Sequence, residues 1–336
     1  MTRPHSPGFA PAVCAVVVNW NGWRDTIVCL ESLLALGGTP MRVVVCDNGS
    51  TNASVQELER WMRERLQGWP ATEGEPGLAH PHPGDGVQSV HLLRLTRNLG
   101  YAAGLNAGIA WAREHWPALR GFWLLNNDVH AQAGALDALV SAHDSVPDAG
   151  ICGSVLLEWD QPERIQAVAG VYRRWLGVGW HATEVSAHAG EAGFAVDYPV
   201  GASMYVDTAY LDRVGPMDEE FFLYCEEMDW AERGRRLGYR ALVAPRSRLR
   251  HKEGASTGSR SGVRNKSLLS ERYGVTSRLR ITRKLWPHLL PVVWCSLLLV
   301  IVDRLAHREW ARAGLVVRLM FTPSQWMRDQ QCQGGS

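Results

Sequence analysis

Residues 122–129, FWLLNNDV, change abruptly from an apolar run to Asn126, Asn127 and Asp128. A short apolar run bounded by Gly121 and a polar cluster is typical of a buried strand in a parallel sheet. Open α/β sheets bind ligands at the carboxyl ends of their strands, where a lone carboxylate is placed to hold a metal ion or a phosphate's counter-ion. The alternative is a strand followed by an ordinary Asn/Asp turn.

The order of strand, polar residues and helix occurs twice in the first 67 residues. Residues 13–19 are a β-branched run that ends at Asn19 and precedes an amphipathic segment. Residues 41–46 form a second apolar run, which is followed by Asp47 and then by a helix predicted at about 52–67. This alternation predicts βαβ units and a parallel sheet with right-handed crossovers. Further strands are predicted at 89–95, 151–157, 198–206 and 240–244, and further helices at 101–114, 134–144 and 224–237.

Composition narrows the function classes. The formal charge of +1 gives no overall argument for binding nucleic acid. The seven cysteines form no CxxC pair and several lie in apolar runs, which favours free thiols in a reducing cytosol. Residues 1–12 contain no apolar core of a signal peptide and are expected to be flexible, while the Gly- and Pro-rich residues 68–88 are expected to form a surface loop.

One segment near the carboxyl end raises the question of a membrane. Residues 285–302 carry no formal charge, but Pro287 and Pro291 interrupt the start, and the length is at the lower limit for a spanning helix. Residues 264–284 carry seven Lys and Arg residues against Glu271 alone, which suits an anionic leaflet. We expect the segment to lie in the membrane interface, with a buried hairpin or dimer contact and a true span as alternatives.

Two other stretches carry chemistry. Residues 217–229 place six carboxylates among aromatic residues. Acids there favour a helix start. Crowding also raises the pKa of carboxyl groups, so that one of them can serve as a general base near neutral pH. His251 follows a strand-like run and opens the Gly/Ser segment HKEGASTG. A single His is more often structural than a ligand.

In combination, these segments resemble the inverting family 2 glycosyltransferases with the GT-A fold, and especially their rhamnosyltransferase-like branch. Seven motifs occur in the order found in that family and cover about residues 13–270. They are VVVNWNG with CLESLLAL (16–22 and 29–36), VVVCDNGSTNAS (43–54), RNLGYAAGLNAGI (97–109), LLNNDV (124–129), VGASMYV (200–206), GPMDEEFFLYCEEMDWAERGRRLGYR (215–240) and HKEGAS (251–256).

The resemblance implies a nucleotide-sugar donor and assigns residues to it. Asp47 would bond the pyrimidine of the donor, and Arg97 would lie beside the base or phosphate. The other residues assigned to the donor site are Asn19, Asn21, Gly100, Gly104, Asn106 and Asn127.

The resemblance also assigns the metal, the base and the acceptor. Asp128 matches the last acid of the DxD motif, which holds Mg²⁺ or Mn²⁺ on the donor diphosphate, and His251 would complete that site. Glu227 matches the acid that deprotonates the acceptor hydroxyl. The acceptor site is expected to include Gly201, Ala202, Asp218 and Trp230.

Two departures from the family pattern leave alternatives open. The first acid of the DxD motif is replaced by Asn126, so the cation would either be held more loosely or depend on His251. The usual Asp of the base motif is Glu227, one methylene longer, which leaves Glu226 and Asp229 as possible bases. Adjacent acids titrate together, so a pH profile alone does not assign the proton.

The predicted protein is an α/β transferase with the GT-A fold, in which a mainly parallel sheet is flanked by helices. Residues 13–257 form the transferase domain, with a nucleotide-binding half at 13–129 and an acceptor half at 130–257, and residues 258–336 form a basic and apolar helical region. The expected donor is dTDP-L-rhamnose and the expected acceptor a lipid-linked glycan of a bacterial surface polysaccharide.

The expected location is the cytoplasm, peripheral on the inner face of the cell membrane through residues 264–302, with a homodimer as a further possibility and no nucleic acid as partner. Two other functions are alternatives. A sugar nucleotidyltransferase would need a Gly-rich loop after the first strand, where residues 19–24 offer one glycine. An inactive transferase-like binding module is favoured by Asn126 and Glu227.

Overall fold

The computed structural model describes residues 12–66, 86–185, 193–252 and 267–324. The predicted flexible amino terminus, most of the predicted loop at 68–88 and the Gly/Ser segment after Lys252 lie outside these ranges.

A central sheet runs through the described residues, flanked by helices on both faces. The strands are β1 (Val13–Asn19), β2 (Met41–Asp47), β3 (Val87–Arg94), β4 (Gly121–Asn126), β5 (Val129–Ala131), β6 (Ala149–Glu158), β7 (Ile165–Ala167), β8 (Ala169–Arg173), β9 (Val178–Ala182), β10 (Phe194–Val196), β11 (Ser203–Asp207) and β12 (Arg240–His251). The helices are α1 (Trp23–Leu34), α2 (Ser54–Arg65), α3 (Tyr101–His115), α4 (Ala135–Asp144), α5 (Thr208–Val214), α6 (Glu226–Arg236), α7 (Leu268–Leu285), α8 (Leu290–Ala306) and α9 (Trp310–Phe321), with a short 3₁₀ helix at Pro287–Leu289.

The first half of the sheet is parallel, as the alternation of strands and helices predicts. Strand β1 lies between β2 and β4 and is parallel to both, and β3 extends the sheet beyond β2. The β-branched run of β1 is buried along its whole length. A continuous apolar strand of this kind requires cover on both faces, which helices provide in βαβ units.

The second half makes the sheet mixed. Strand β11 is antiparallel to both β4 and β6, whereas β12 is parallel to β6. The full order is β10-β12-β6-β11-β4-β1-β2-β3, and β8 pairs with β9 in a separate two-stranded sheet. The mainly parallel sheet that the sequence predicts therefore describes the nucleotide-binding half, and the acceptor half adds antiparallel strands and hairpins.

Two buried clusters occupy the two faces of the sheet. Val13, Ala15 and Val17 of β1 join the cluster that contains residues of α1, α2 and α4. Cys14 and Val16 point to the other face and join residues of α3, α5, α6 and α7. Because side chains alternate along a strand, β1 contributes equally to both layers and anchors a three-layer α/β/α architecture.

Helix α3 lies unusually close to the sheet because it carries glycines on its inner face. A Cβ at Gly108 would lie 2.5 Å from Val16 Cγ1 and 2.6 Å from Cys46 Sγ, and one at Gly104 would lie 3.1 Å from Val18 Cγ1. The sequence predicts this close approach, and the structure confirms it. It sets the amino end of α3 directly above the carboxyl ends of β1 and β2.

Helices α7, α8 and α9 form the carboxyl-terminal region, which is helical as predicted. A small core that includes Val275, Leu279, Val293, Leu297 and Val316 joins the three helices. Helix α7 also packs against the transferase domain, because Ile281, Leu285 and Trp286 belong to the second cluster of the sheet. The region after residue 257 is therefore not a separate unit by packing, and α7 belongs to both parts.

We expect Gly108→Ala to destabilise the protein by about 1–3 kcal/mol, the usual cost of overpacking, because the added methyl would meet Val16 and Cys46. Gly274→Ala in α7 is the matched control, since a Cβ there meets nothing within 4 Å. Alanine is a better helix former than glycine, so the control should be neutral or more stable by up to about 1 kcal/mol. Urea unfolding would measure both changes, and equal midpoints would contradict the close packing of α3.

Candidate active site

The polar residues that end three strands meet at one edge of the sheet. In the register of the sheet, Asn19 of β1 lies beside Asp47 of β2, and Val18 lies beside Asn126 of β4. The motifs that carry the predicted nucleotide and metal residues thus converge, although about 80 residues of chain separate Asp47 from Asp128. This edge is where open α/β sheets bind ligands.

Asp47 is held in one orientation by its neighbours. Asn19 Nδ2 donates to Asp47 Oδ1 at 2.6 Å, and Ser50 donates its hydroxyl to Oδ1 at 2.6 Å and its backbone N–H to Oδ2 at 3.0 Å. A carboxylate offers about four lone-pair positions, so Oδ2 keeps capacity for another donor. An N–H group of a pyrimidine ring is a donor of that kind.

Several residues predicted for the donor site form hydrogen bonds to other protein groups. Asn19 is fully buried, and its Oδ1 accepts a hydrogen bond from Thr26. Asn127 Nδ2 donates to Thr26 Oγ1 at 3.0 Å and to the carbonyl of Gly22 at 3.2 Å. Asn21 Oδ1 accepts from the backbone N–H groups of residues 51 and 52. These asparagines fix the loops that surround Asp47.

Asn106 joins the two halves of the transferase domain. Its Nδ2 donates to the carbonyl of Met217 and to Glu219 Oε1, both at 2.9 Å, and its Oδ1 accepts from the N–H of Met217 at 3.1 Å. The side-chain amide of Asn106 is therefore hydrogen-bonded to the loop before α6. The structure therefore places Asn106 beneath the acid-rich segment and not at the nucleotide edge.

Arg97 and Gly100 lie on the loop that leads into α3. The Arg97 side chain is exposed, and its backbone packs on Gly49, where a Cβ would lie 2.4 Å from the Arg97 Cα. Gly100 has a φ of +92°, and its missing Cβ lets the backbone of Phe222 approach. The N–H of Tyr101 donates to the Phe222 carbonyl at 2.9 Å. This contact brings the acid-rich segment to the amino end of α3.

Asp128 and His251 come together, as the resemblance implies. His251 is the last residue of β12, which is longer than the predicted strand at 240–244, and its Nε2 lies 3.3 Å from Asp128 Oδ1. Both side chains are buried. Gln166 Nε2 donates to the backbone carbonyl of His251 at 3.1 Å, which leaves Gln166 Oε1 to accept from His251 Nδ1 at 2.7 Å.

This arrangement fixes the tautomer of His251. Because Nδ1 donates to Gln166, the neutral ring carries its lone pair on Nε2, which faces the Asp128 carboxylate. Two lone pairs at this distance repel each other unless a proton or a cation lies close to both. A carboxylate oxygen and an imidazole nitrogen are ligands that Mn²⁺ accepts, and the hydrogen bond at Nδ1 is the usual support of a metal-binding His.

The described residues contain no group of three or more His, Cys, Asp or Glu side chains that could hold a metal ion alone. Asp128 and His251 therefore fit a cation that takes its other ligands from a diphosphate and water. Mg²⁺ and related cations are commonly held by one or two protein groups together with substrate phosphates.

The acid-rich segment places two carboxyl groups at the start of α6. Glu226 and Glu227 each carry a buried Oε2 without a hydrogen-bond partner. Burial raises the pKa of Glu227 to about 7, and burial together with the nearby charge of Glu227 raises the pKa of Glu226. Tyr224 and Cys225 precede the helix with φ values of +71° and +73°, a costly conformation for residues other than glycine.

Asp229 differs from these two acids because two cationic side chains pair with its carboxylate. The side chain is fully buried, with Arg233 Nε at 2.8 Å and Lys284 Nζ at 2.7 Å. Arg233 also donates to the carbonyls of Val214 and Pro216. Asp229 is thus a structural anchor between α6, α7 and the preceding loop. Among the three candidate bases, the structure favours the Glu226–Glu227 pair.

Tyr101 lies between Gly201 and the acids at the start of α6. Its hydroxyl donates to the carbonyl of Gly201 at 2.7 Å, and a Cβ at Gly201 would lie 3.8 Å from both Tyr101 and Glu227. Burial, followed by the charges of Glu226, Glu227 and Asp128, raises the pKa of Tyr101 well above its usual value. Tyr101 therefore contacts the Gly201 turn and lies within electrostatic range of Glu226, Glu227 and Asp128.

The predicted acceptor residues divide into two groups. Gly201 lies beside Glu227, and the carbonyl of Ala202 accepts from the N–H of Asn126, so both lie next to other predicted site residues. Asp218 forms a salt bridge with Lys284 at 2.5 Å. Trp230 is fully buried and its indole N–H donates to the Gly215 carbonyl, so the structure places this side chain in the core rather than on an open surface.

Comparison with known proteins agrees with this geometry. Residues 14–167 match the family model described as Glycosyl transferase family 2. The chain carries a glycosyl transferase family 2 domain. This transferase is 27% identical over 249 residues to the N-acetylglucosaminyl-diphospho-decaprenol L-rhamnosyltransferase of Mycobacterium tuberculosis, an alignment that covers 68% of this chain and 72% of the relative.

Two solved structures share the fold of this glycosyltransferase. The crystal structure of GalNAc-T7 with UDP, GalNAc and Mn²⁺ has a TM-score of 0.59 at 12% identity; the match covers 83% of this chain and 49% of that one, so the chain spans about half its length. The mannosyltransferase PcManGT from Pyrobaculum calidifontis, in complex with GDP-Man and Mn²⁺, has a TM-score of 0.52 at 17% identity, with 93% and 87% covered. The predicted GT-A fold is confirmed.

Sequence reasoning missed four residues that shape the transferase site. They are Ser50, Tyr101, Gln166 and Lys284. Ser50 and Tyr101 lie inside quoted motifs and could have been noticed there. Gln166 and Lys284 lie outside every motif, and only the fold brings them to His251 and Asp229.

The raised pKa of Glu227 predicts a pH-dependent stability. Between its ordinary pKa of 4.5 and its folded pKa of about 7, the folded state holds a proton that the unfolded chain has lost. The free energy of unfolding should therefore fall as pH rises through this window. Glu227→Gln cannot ionise, so we expect a higher Tm than wild type at pH 8 and a similar Tm at pH 4.

Asp229→Asn is the matched control on the same helix. It leaves Arg233 and Lys284 without their shared carboxylate, and breaking a buried pair typically costs about 3–5 kcal/mol. Thermal unfolding should therefore show opposite shifts for the two variants at pH 8. Destabilisation by Glu227→Gln at that pH would contradict the buried, uncompensated state of Glu227.

Proposed function

We propose that this glycosyltransferase is inverting and moves L-rhamnose from dTDP-L-rhamnose to a hydroxyl of a lipid-linked glycan. The observation that carries the proposal is a half-buried Glu227, whose Oε2 has no hydrogen-bond partner, together with the Asp128–His251 pair, both near enough to Tyr101 to raise the pKa of its hydroxyl. One group is suited to take a proton and the other to hold the cation of a departing diphosphate.

The proposed reaction is a single in-line displacement. The carboxylate of Glu227 takes the proton of the acceptor hydroxyl as that oxygen forms a bond to the anomeric carbon. The bond from this carbon to the diphosphate oxygen breaks, and the nucleoside diphosphate leaves with the electron pair. Attack opposite the leaving group inverts the configuration. A pKa of about 7 suits a general base because such a group is both ionised and basic near neutral pH.

Asp128 and His251 are proposed to hold Mg²⁺ or Mn²⁺, with Gln166 keeping Nε2 of His251 available. A bound divalent cation would neutralise the negative charge of the departing diphosphate. The fold neighbours with bound Mn²⁺ support a divalent metal. Asn126 replaces an acid of the family motif, and its Nδ2 lies 3.5 Å from His251 Nε2, so it sits beside the proposed cation without adding charge.

Asp47 is proposed to read the base of the donor. Its free lone pair at Oδ2 suits the ring N–H of thymine or uracil, and Asn19 and Ser50 keep the carboxylate in place. The exposed Arg97 lies on the adjoining loop, where a guanidinium would meet the base or phosphate. The choice of L-rhamnose follows the relative that is named for this sugar.

The proposed acceptor is a glycan on a lipid carrier, because the same relative is named for N-acetylglucosaminyl-diphospho-decaprenol. An enzyme that acts on a membrane-embedded acceptor must work at the bilayer surface. The proposed location is therefore the cytoplasmic face of the cell membrane, with the enzyme held peripherally.

We expect one pyrimidine diphosphate, dTDP in this proposal, to raise the Tm of the purified protein in the presence of Mn²⁺. A ligand at a hundred times its dissociation constant adds about 2.7 kcal/mol to the free energy of unfolding. Comparison of dTDP, UDP, GDP and CDP, each with and without Mn²⁺, would identify the base. Asp128→Ala should abolish the Mn²⁺-dependent part, while Asp144→Ala, on the exposed end of α4, should not. No shift with any nucleotide would instead favour an inactive binding module.

We expect Glu227→Gln to lower kcat by about 10²–10⁴-fold, the usual contribution of a general base, without weakening nucleotide binding. Turnover of dTDP-L-rhamnose with a GlcNAc-diphospholipid acceptor would measure the change. For wild type, the rate should rise with pH and level off above about 7. Glu226→Gln is the neighbouring control and should cost less; the reverse order would assign the base to Glu226.

A further inference from the structure

Exposed apolar side chains are concentrated in one region of the molecule. Twelve of the fifteen large apolar side chains exposed among the described residues lie on the β8–β9 hairpin, α8 and α9. They are Trp175, Leu176, Val178, Trp180, Val292, Leu298, Leu299, Val302, Leu305, Trp310, Val317 and Phe321. Large exposed apolar patches mark interaction sites in soluble proteins.

Helix α8 and the short 3₁₀ helix before it expose a continuous apolar stripe. The exposed positions recur every three or four residues, and Asp303 is the only one with a formal charge. They are 287, 288, 291, 292, 295, 298, 299, 302, 303, 305 and 306. Val293 and Leu297 lie on the opposite face and are fully buried against α7 and α9. A helix that is apolar on both faces needs a partner on its open face.

The hairpin of the transferase domain extends this stripe. A Cβ at Gly177 would lie 2.7 Å from Val293 Cγ1, and the carbonyl of Leu176 accepts a hydrogen bond from Ser296 Oγ at 3.3 Å. The hairpin tip is thus packed onto α8, and Trp175 stands beside it with 64% of its surface exposed. Two segments more than 100 residues apart in sequence form one surface, here called the apolar face: residues 173–180, α8 and α9.

The charge around the apolar face is positive. Within residues 173–180, α8 and α9, Asp303 is the single acid. Arg173, Arg174, Arg308 and Arg318 are exposed on or beside the face. Arg173 lies over the ring of Trp180 at 5.4 Å. Tryptophan and arginine together are typical of segments at the boundary between lipid headgroups and acyl chains, and basic residues there attract anionic lipids.

We infer that the apolar face docks on an anionic lipid bilayer and lies in its headgroup region. This placement differs from the one predicted from sequence, because two cations of the basic segment already have partners within the protein. Arg280 donates to the carbonyl of Glu220, and Lys284 pairs with Asp218 and Asp229. The lipid contacts come instead from α8, α9 and the hairpin.

A buried ion pair keeps α8 on the surface rather than across the bilayer. Pro287–Ala306 is long and apolar enough to cross a membrane by length and composition. However, Arg304 at its end is buried against Glu271 of α7 at 2.9 Å, and Glu271 also binds Arg312 of α9 at 2.6 Å. A spanning α8 would have to leave this cluster and its inner core, and breaking a buried ion pair is strongly unfavourable.

The docked orientation connects the bilayer to the general base and so deepens the proposed function, on which the choice of a lipid partner rests. Helix α7 packs on α9 and on the segment before α6, where Tyr273 stacks on Phe222 at 4.6 Å and Ser277 donates to the Leu223 carbonyl at 2.8 Å. A lipid-linked acceptor would lie at the surface on which this assembly rests.

Flotation of the full chain with vesicles tests the inference. We expect binding to vesicles of phosphatidylglycerol and phosphatidylcholine, and weaker binding to phosphatidylcholine alone or at high salt. Leu299→Glu and Trp175→Glu, on α8 and on the hairpin, should each lower the partition coefficient by at least about tenfold. Leu237→Glu, an exposed leucine outside the apolar face, is the matched control and should bind like wild type.

Three results would overturn the inference. The first is wild-type binding by both Leu299→Glu and Trp175→Glu, or no flotation at all. The second is resistance to alkaline carbonate extraction, which would indicate a spanning helix. The third is a dimer in solution that Leu299→Glu converts to a monomer without affecting flotation, which would assign the face to a second copy of the chain. The dTDP-dependent Tm shift should persist in both variants, so a failure of docking is distinguishable from a failure of the donor site.

Discussion

The hydrogen bonding of β1 between two parallel strands is the constraint on which the site depends. Because β2 and β4 are parallel to β1 and in fixed register with it, Asn19, Asp47 and Asn126 must end at the same edge. Residues that are far apart in sequence are therefore close enough for direct side-chain hydrogen bonds, such as the one from Asn19 to Asp47. The glycines of α3 complete this arrangement, since the close approach of that helix delivers Gly100 and Tyr101 to the same edge.

The second half of the site separates three neighbouring acids by environment. Asp229 shares its charge with Arg233 and Lys284 and holds α6 in place. Glu226 and Glu227 begin the same helix without a cation and with buried oxygens that have no partner. A carboxyl group is therefore held by two cations at Asp229, whereas at Glu226 and Glu227 burial without a cation raises its pKa. The strained turn at Tyr224 and Cys225 is the local cost of presenting the pair in this way.

The sequence was sufficient to predict the parallel half of the fold and the edge of the sheet where the candidate site lies, and the reasons are physical. A continuous apolar run indicates a buried strand, and an Asn or Asp at its end indicates the edge of the sheet where ligands bind. The positions of β1, β2 and β4 were therefore predictable from the sequence. The seven-residue α5, capped by Asp207, is too short to show a helical period. The burial of Trp230 and the pairing of Lys284 with Asp218 and Asp229 depend on which elements pack together. No local sequence pattern indicates that packing. The two members of the His251–Gln166 pair lie 85 residues apart, and their meeting depends on the pairing of β6 with β7 and β12.

Helix α7 belongs to the tail by sequence and to the catalytic domain by packing. Ile281, Leu285 and Trp286 fill one layer of the transferase core, while Leu279 and Val275 fill the core of the helical tail. The boundary that the sequence indicates between domain and tail is therefore not a boundary in packing. Heat or denaturant should melt the tail and the general-base helix in a single transition, and a chain cut at the apparent domain boundary near residue 257 would lose part of the core that folds the active site.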